Sequence, residues 1–430
     1  MTEAPWRWRA PAAVRTDVAE RLFAMGVTPG PTRIGVEVEC LPVRQATGRV
    51  LPLDARSGPS ATQLLREVAR RARWAEETSP FGAPRWRPSA GGLVSFEPGG
   101  QIEYASPALP TVDLLLRTVA GVLAPMHEVA NGLGVALRFV GVDPCAALDD
   151  VPLQLTADRY RLMDAYFARH GSAGQTMMRQ TASLQINVDL GDAPFRRWRV
   201  LNAAAPVLLA MFANSPRYAG ADTGHLSWRA HLWRELDPLR TGVRGVTTDA
   251  VGEYLGFALA APWMFHPTAA GEYRPFGAWL ADGMASLDDW RTHLTTLFPE
   301  VRPRGYLELR SLDAPPSSCC RPRSPCCSVA PAAWACTTPS SDGWPSSSRT
   351  SRLPATRGAI RTARRRSRRR GDSWPSGPAA AVRRPTPLRS VRSHGHRRPP
   401  RGDQLPVLGA HRLNREPAAA AEQLHPVQPR

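Results

Sequence analysis

The sequence predicts an α+β fold in which helices pack against an antiparallel β-sheet. In several short segments apolar residues alternate with polar ones, which is the pattern of half-buried strands. Longer segments between them repeat apolar residues at the helical spacing. Strands and helices do not alternate regularly, and no GxGxxG motif follows a strand, so the pattern does not favour a parallel nucleotide-binding sheet.

The elements of the first half of the chain follow from local patterns. Residues 33–40 alternate strictly, with three β-branched residues on one face and Glu37 and Glu39 on the other. A hairpin is predicted where LVSFE and QIEYAS flank the triplet PGG, because proline and glycine favour tight turns. The apolar period over 111–131 predicts an amphipathic helix, and 135–142 reads as a strand.

The second half adds two strands and several helices. Residues 181–190 alternate, and so do residues 305–312, which form the last strand that the sequence predicts. Apolar residues at the helical spacing predict helices over 156–169 and 194–213, and near 249–257 and 286–297.

The chain contains no lysine, so arginine supplies every cation other than histidine. Nucleotide-binding P-loops, pyridoxal phosphate enzymes and protein kinases each depend on a lysine, and all three classes are excluded. Any nucleotide chemistry must therefore use arginine and metal ions.

The net charge of +18 resides in the last quarter of the chain. Residues 317–430 hold 22 arginines against 5 acidic residues, whereas residues 1–316 hold 33 against 32. The last quarter also lacks Phe, Tyr and Met and shows no helical or strand period. We therefore expect a catalytic domain over 1–316 followed by a disordered, low-complexity tail.

Three interpretations of the tail are open. It could be a basic arm that binds nucleic acid, a cysteine-based metal knuckle, or the product of a lost reading frame. Moving the frame by one base from Ser318 onward permits the leucine-rich string ELLPPALALLLGGARGLGLYDPEL, which has a helical period that a disordered arm would lack. We favour the lost frame, which leaves only non-specific nucleic-acid binding to the tail.

The sequence also predicts a compartment. The start of the chain has no apolar leader, and no run of apolar residues is long enough to cross a membrane. Only Cys40 and Cys145 precede the tail, too few for a disulfide framework. We therefore expect a cytoplasmic protein without a membrane partner.

Polar residues in the predicted strands carry the chemistry. Four strands each place two polar or charged residues at positions i and i+2 on one face, and Glu97 ends the strand before the second pair. The pairs are Glu37 and Glu39, Gln101 and Glu103, Gln185 and Asn187, and Glu308 and Arg310.

Each pair could simply be the solvated face of an antiparallel sheet. Together, however, they concentrate glutamates, which repel one another unless a positive charge lies between them. Carboxylate and amide oxygens suit Mg²⁺ or Mn²⁺, and arginine suits phosphate. The set therefore favours a metal and phosphate site.

Six segments resemble, in the same order, the plant- and bacterial-type glutamate–cysteine ligases. They are GVEVE, FEPGGQIEYAS, MMRQTASLQINVDL, FANSP, SWRAHLWRELDPLRTG and HLTTLFPEVRPRGYLELRSLD. The last is most similar to the branch that makes γ-glutamylcysteine for ergothioneine synthesis. The resemblance covers about residues 30–315 and stops where the composition changes, whereas family members continue with mostly helical structure.

The resemblance implies a glutamine-synthetase-like catalytic domain, whose antiparallel sheet curls into a funnel flanked by helices. It also implies ATP as co-substrate and Mg²⁺, or Mn²⁺, as cofactor. In the implied reaction the γ-carboxylate of L-glutamate is phosphorylated, and the amine of L-cysteine attacks the acyl phosphate.

The resemblance further assigns roles to residues. Gln185 and Asn187 would line the nucleotide and metal region, and Arg310 would hold phosphate or the glutamate carboxylate and act in catalysis with Glu97. Arg179, Arg229 and Arg240 are further candidates for anion binding, with a surface or ion-pair role as the alternative. The metal ligands implied are Glu37, Glu39, Glu97, Glu103 and Glu308.

Three rivals stay open. One is a carboxylate–amine ligase with another amine acceptor. The second is a nucleic-acid binder that works through residues 317–430, with an affinity that falls steeply with salt. The third is a defective ligase that lacks its C-terminal helices, which would expose apolar surface and lower solubility.

Overall fold

A computed structural model describes residues 12–24, 30–242, 247–266 and 272–316. The predicted tail lies outside these residues. The helices are α1 (Ala12–Asp17), followed by a π-helical turn (Val18–Leu22), α2 (Ala61–Ala72), α3 (Val112–Gly132), α4 (Asp158–Ala168), α5 (Ala173–Gln180), α6 (Pro194–Met211), α7 (Trp228–Leu236), α8 (Ala250–Ala260), α9 (Phe276–Ala281) and α10 (Leu287–Leu294). The strands are β1 (Ile34–Arg44), β2 (Ala75–Thr78), β3 (Pro84–Arg87), β4 (Leu93–Phe96), β5 (Ile102–Ala105), β6 (Val135–Arg138), β7 (Ser183–Asp189), β8 (Arg217–Tyr218), β9 (Ala221–Asp222), β10 (Val301–Pro303) and β11 (Tyr306–Asp313).

Nine of these strands form one sheet in which neighbouring strands are antiparallel. Their order is β10-β11-β7-β1-β5-β4-β3-β2, and β6 pairs with the second half of β1. Strands β8 and β9 make a separate two-stranded ribbon. The predicted α+β class with an antiparallel sheet is thereby confirmed.

One face of the sheet is apolar and buried. Val36 and Val38 of β1, Ile186 of β7 and Leu307 and Leu309 of β11 all belong to one core cluster. Helices α3 and α6 contact this side of the sheet, α3 along β1 and β6 and α6 along β10 and β11. Because side chains alternate along a strand, the polar residues between these positions point to the opposite face.

The predicted elements are present, with shifted ends. Strand β1 runs past residue 40 to Arg44 because β6 pairs with its last four residues. The strand predicted over 135–142 ends at Arg138, and only Val142 beyond it bridges to Thr181. No helix among the described residues is both long and apolar enough to cross a membrane.

The hairpin of β4 and β5 is fixed against α5. Gly100 N donates to Glu97 O across the turn, and Gly99 N donates to the side chain of Gln101. The Gln101 amide in turn donates to the carbonyl of Thr181 at 2.9 Å. A Cβ on Gly99 would collide with the backbone carbonyl of Arg179, so this close approach requires glycine.

Candidate active site

A cavity of about 730 Å³ opens on the polar face of the sheet. Strands β1, β4, β5, β7 and β11 contribute to its wall, together with helices α4, α5, α7 and α10. Eight of the predicted site residues line it: Glu37, Glu39, Glu97, Glu103, Gln185, Arg229, Glu308 and Arg310.

Strand register brings the polar residues side by side. Glu39 of β1 lies opposite Glu103 of β5, and Glu37 lies opposite Gln185 of β7. Glu308 of β11 lies opposite Asn187 in the same way. Residues directly opposite each other on neighbouring strands have Cβ atoms roughly 5 Å apart, so the side chains form a continuous polar wall.

The amides of β7 hold two of the carboxylates in place. Gln185 Nε2 donates to Glu39 Oε1 at 3.1 Å, and Asn187 Nδ2 donates to Glu37 Oε1 at 3.0 Å. Ser183 adds its backbone N–H and its hydroxyl, each 2.8 Å from a Glu39 oxygen. The amide oxygens of Gln185 and Asn187 are buried and accept no hydrogen bond in this structure.

Burial and mutual repulsion raise the pKa values of three carboxylates of the wall, Glu37, Glu97 and Glu103. Burial, followed by the charges of Glu39 and Glu37, raises the pKa of Glu97 to about 8. Burial and the charges of Glu37 and Glu97 raise the pKa of Glu103 well above its usual range. Burial and the neighbouring Glu308 raise the pKa of Glu37. Such a wall attracts positive charge.

Glu308 has a different environment. Arg302 donates to both of its oxygens, at 2.6 and 3.1 Å, and Arg310 Nη1 lies 3.0 Å away. Burial disfavours the charge, but Arg302, Arg310 and Arg304 outweigh it and hold the pKa of Glu308 well below its usual range. Among the five predicted metal ligands, Glu308 is the one whose oxygens already accept hydrogen bonds from arginine.

Arginines line the cavity together with the glutamates. Arg229 of α7 is buried, donates to the Arg310 carbonyl at 3.0 Å and lies 4.8 Å from the Trp233 ring centre. The Nε atoms of Arg229 and Arg310 are buried without a hydrogen-bond partner in this structure. Burial also lowers the pKa of Arg159, which lines the cavity from α4.

Sequence reasoning missed several of these cations. Arg302 and Arg304 flank Pro303, which interrupts the strand pattern of β10. The signal that could have found them is their position, since Arg302 lies in β10 and Arg304 lies in the short turn that leads directly into β11. Arg159 gave no such signal, because one arginine on a helix is commonly a solvated residue.

Three predicted residues lie outside the cavity wall. Asn187 acts on the wall through Glu37, as described above. Arg179 forms a bidentate ion pair with Asp164, with Nη2 2.6 Å from both oxygens. Arg240 is fully buried and pairs with Asp237 at 3.0 Å. The placement of these two arginines favours the ion-pair alternative over anion binding.

The donor set fits a divalent cation. Among the residues that the structure describes, no three histidine, cysteine, aspartate or glutamate side chains are gathered around one point as ready ligands. The wall nevertheless offers carboxylates whose mutual repulsion a cation would relieve, and two buried amide oxygens without partners.

Comparisons with known proteins identify related sequences. A family model described as glutamate–cysteine ligase family 2 matches residues 33–336. The match extends past residue 316, where we expected the resemblance to stop, into the basic tail.

Two curated relatives come from plants. The chloroplastic glutamate–cysteine ligase B of Oryza sativa subsp. japonica is 32% identical over 303 residues, covering 66% of this chain and 59% of that protein. The chloroplastic glutamate–cysteine ligase of Arabidopsis thaliana is 32% identical over 321 residues, covering 70% of this chain and 60% of that protein. The chain thus spans about 60% of the length of these relatives.

Among solved structures, a glutamate–cysteine ligase from Francisella tularensis in complex with AMP covers 66% of this chain and 62% of its own. The two are 12% identical, and the TM-score is 0.39.

Proposed function

Because the chain belongs to glutamate–cysteine ligase family 2, we propose that it is an ATP- and Mg²⁺-dependent ligase that joins L-glutamate to L-cysteine. The product would be γ-glutamylcysteine, formed through γ-glutamyl phosphate. One observation supports this reaction above the others: a single cavity is lined by both buried glutamates and arginines.

The first half of the reaction activates the carboxylate. An oxygen of the glutamate γ-carboxylate attacks the terminal phosphorus of ATP, and the bond from that phosphorus to the bridging oxygen of ADP breaks. The arginines would bind the anionic oxygens of phosphate and substrate, since guanidinium groups pair with them bidentately. Arg229 and Arg310 are suited to this role, because each has an unpartnered buried Nε.

The glutamates of the polar wall would hold the metal. Glu37, Glu39, Glu97 and Glu103 are the residues that would bind Mg²⁺, with the free amide oxygens of Gln185 and Asn187 beside them. Bound Mg²⁺ supplies neutralisation of the charge on the transferring phosphoryl group. Glu308 would instead keep Arg302 and Arg310 fixed at the cavity wall.

The second half forms the amide bond. The neutral amine of the acceptor attacks the acyl carbon, the C–O bond to phosphate breaks, and the nitrogen loses a proton. Exclusion of water from the cavity during the reaction would protect the acyl phosphate from hydrolysis. A ligase with another amine acceptor would use the same chemistry, so the acceptor must be tested directly.

Two finer proposals concern the setting. The similarity of residues 293–313 to the ergothioneine-pathway branch supports ergothioneine synthesis as the pathway that uses the γ-glutamylcysteine. We also propose a cytoplasmic location, which is supported by the small number of cysteines, since only Cys40 and Cys145 precede residue 317.

The decisive assay is Mg²⁺-dependent release of ADP with L-glutamate, with and without L-cysteine. It should be run on this chain and on the product of a gene whose frame is restored after Pro316. Hydroxylamine added with ATP and glutamate should trap the acyl phosphate as a hydroxamate. Activity only after restoration would support the lost reading frame.

Variants make the assay specific for the cavity. Glu103→Gln should lose activity, whereas Glu128→Gln, an exposed glutamate on α3, should keep it. Release of ADP with another amine but not with cysteine would favour a ligase with a different amine acceptor. A soluble, frame-restored protein that releases no ADP with glutamate and any amine would contradict the proposal.

A further inference from the structure

A short segment outside the family match reaches the cavity. Residues 12–24 precede the matched range, which begins at residue 33. They form α1 and the π-helical turn, and Arg21 and Leu22 of that turn line the cavity. Turns of the π type are rare and are frequently found at functional sites.

The position of this segment is fixed by core contacts. Val18 and Phe23 are fully buried, and the Phe23 ring packs edge-on against Trp198 at 5.6 Å. The carbonyl of Leu22 accepts a hydrogen bond from Gly305 N at 2.9 Å, at the turn between β10 and β11. Core contacts therefore hold the chain both before and after Arg21, which lines the cavity.

One buried carboxylate organises two arginines at this place. Asp17 is 7% exposed, and its Oδ1 lies 3.3 Å from Arg21 Nε and 3.1 Å from Arg291 Nε. Trp290 Nε1 donates to Asp17 Oδ2 at 3.2 Å and fixes the carboxylate further. Arg21 comes from the π turn and Arg291 from α10, so Asp17 joins two separate elements.

Both guanidinium groups use their Nε edge for Asp17 and keep their terminal nitrogens for other partners. The terminal nitrogens of Arg21 have no hydrogen-bond partner among the described residues, and Arg291 adds only a 3.9 Å contact with the exposed Asp288. Each side chain is about one third exposed, and both line the cavity. The two cations share one buried counter-charge, Asp17, and the exposed Asp288 is a more distant partner, so positive charge remains at this rim.

We propose that Arg21 and Arg291, oriented by Asp17, form an oxyanion-binding pair at the rim of the cavity. Its ligand is a phosphate group of the nucleotide or a carboxylate of an amino-acid substrate, since both present oxygens that a guanidinium binds. Asp17 is a positioning residue, because it acts through the two arginines. The identity of the ligand rests on the proposed ligase function, but the presence of an anion site does not.

Equilibrium binding tests the pair without depending on turnover. Calorimetry on the full chain would measure the Kd of ADP, pyrophosphate and L-glutamate for the wild type and for Arg21→Gln, Arg291→Gln and Asp17→Asn. Arg15→Gln is the matched control, because Arg15 lies in the same segment but pairs with the exposed Asp249 outside the cavity.

We expect Arg21→Gln and Arg291→Gln each to weaken one class of ligand about tenfold or more, as loss of a charge-assisted hydrogen bond does. Weaker binding of ADP and pyrophosphate would assign the pair to phosphate, and weaker binding of glutamate would assign it to a carboxylate. Asp17→Asn should weaken the same class, and Arg15→Gln should change every Kd less than twofold.

Two results would overturn the pair. One is an unchanged Kd for all three ligands in Arg21→Gln and Arg291→Gln, and the other is a wild type that binds none of them. A lower melting temperature with unchanged affinities would show that the pair is only structural. The ADP-release assay on the wild type decides the ligase function separately, so the two proposals fail independently.

Discussion

Removal of one buried carboxylate should change how stability depends on pH. Glu97 lies at the end of β4, and burial together with Glu39 and Glu37 raises its pKa to about 8 in the metal-free protein. Below the unfolded pKa of 4.5 the group is protonated in both states and costs nothing. Between that value and 8, the folded chain keeps a proton that the unfolded chain has released, so the free energy of unfolding falls as pH rises.

The size of the effect follows from the shift. One proton difference changes the free energy of unfolding by about 1.4 kcal/mol per pH unit. From pH 5.5 to pH 8 the loss attributable to Glu97 would therefore reach about 3 kcal/mol, an upper limit because Glu37 and Glu103 share the repulsion. Glu97→Gln keeps the shape, removes the charge and also relieves Glu103.

Urea unfolding in EDTA at pH 5.5 and pH 8.5 measures this loss. The wild type should lose clearly more stability between the two values than Glu97→Gln, and Glu128→Gln, an exposed glutamate on α3, should behave as the wild type. Mg²⁺ added at pH 8.5 should raise the wild-type midpoint, because a cation that binds only the folded wall stabilises it. An equal loss of stability between pH 5.5 and pH 8.5 in all three proteins would refute the reasoning.

Three further predictions concern charges and backbone around the cavity. Glu308→Gln should lower the free energy of unfolding by about 3 kcal/mol or more, since it leaves buried guanidinium groups without their counter-charge; an unchanged urea midpoint would contradict this. Arg240→Met should also destabilise the fold by about 3 kcal/mol, because it leaves the buried Asp237 without its cationic partner. Arg240 does not line the cavity, so steady-state kinetics should show KM values for ATP and glutamate within about twofold of the wild type. Gly99→Ala should strongly lower the melting temperature of the protein, because the added Cβ meets a backbone carbonyl. Gly121→Ala, at an exposed and open helical position, should instead stabilise the protein by about 0.5–1 kcal/mol.

The acidic wall could be predicted because strand alternation is a local property. Two glutamates on one face of residues 33–40 follow from the period of two alone. The partners could not be predicted in the same way, because the register that sets Glu37 opposite Gln185 joins segments far apart in the chain. The resemblance to a family supplied what local patterns could not.

Two of the helices that sequence reasoning missed, α5 and α7, bury polar or charged residues. Helix α5 buries Thr176 and Gln180 beside Met178 and has no aliphatic stripe at the helical spacing, whereas α7 buries Arg229 on the same face as Leu232 and Leu236. The sequence analysis also missed strands β2 and β3. Strand β2 lies at the edge of the sheet and is mostly exposed, so it has no buried apolar face that a pattern could reveal. Helix α2 was missed as well, although it buries Leu64, Leu65 and Val68 at the helical spacing, so there the apolar period was present and was overlooked.

The alternation of the central strands also limits how the chain can misfold. A slip of β1 by one residue against β7 would turn Glu37 and Glu39 into the layer now filled by Val36 and Val38. Burial of an unpaired charge in an apolar layer costs several kcal/mol, so each competing register is penalised at more than one position. The same carboxylates that repel one another in the native sheet thus exclude its nearest rivals, and the charges of the site help to specify which strand pairing the chain adopts.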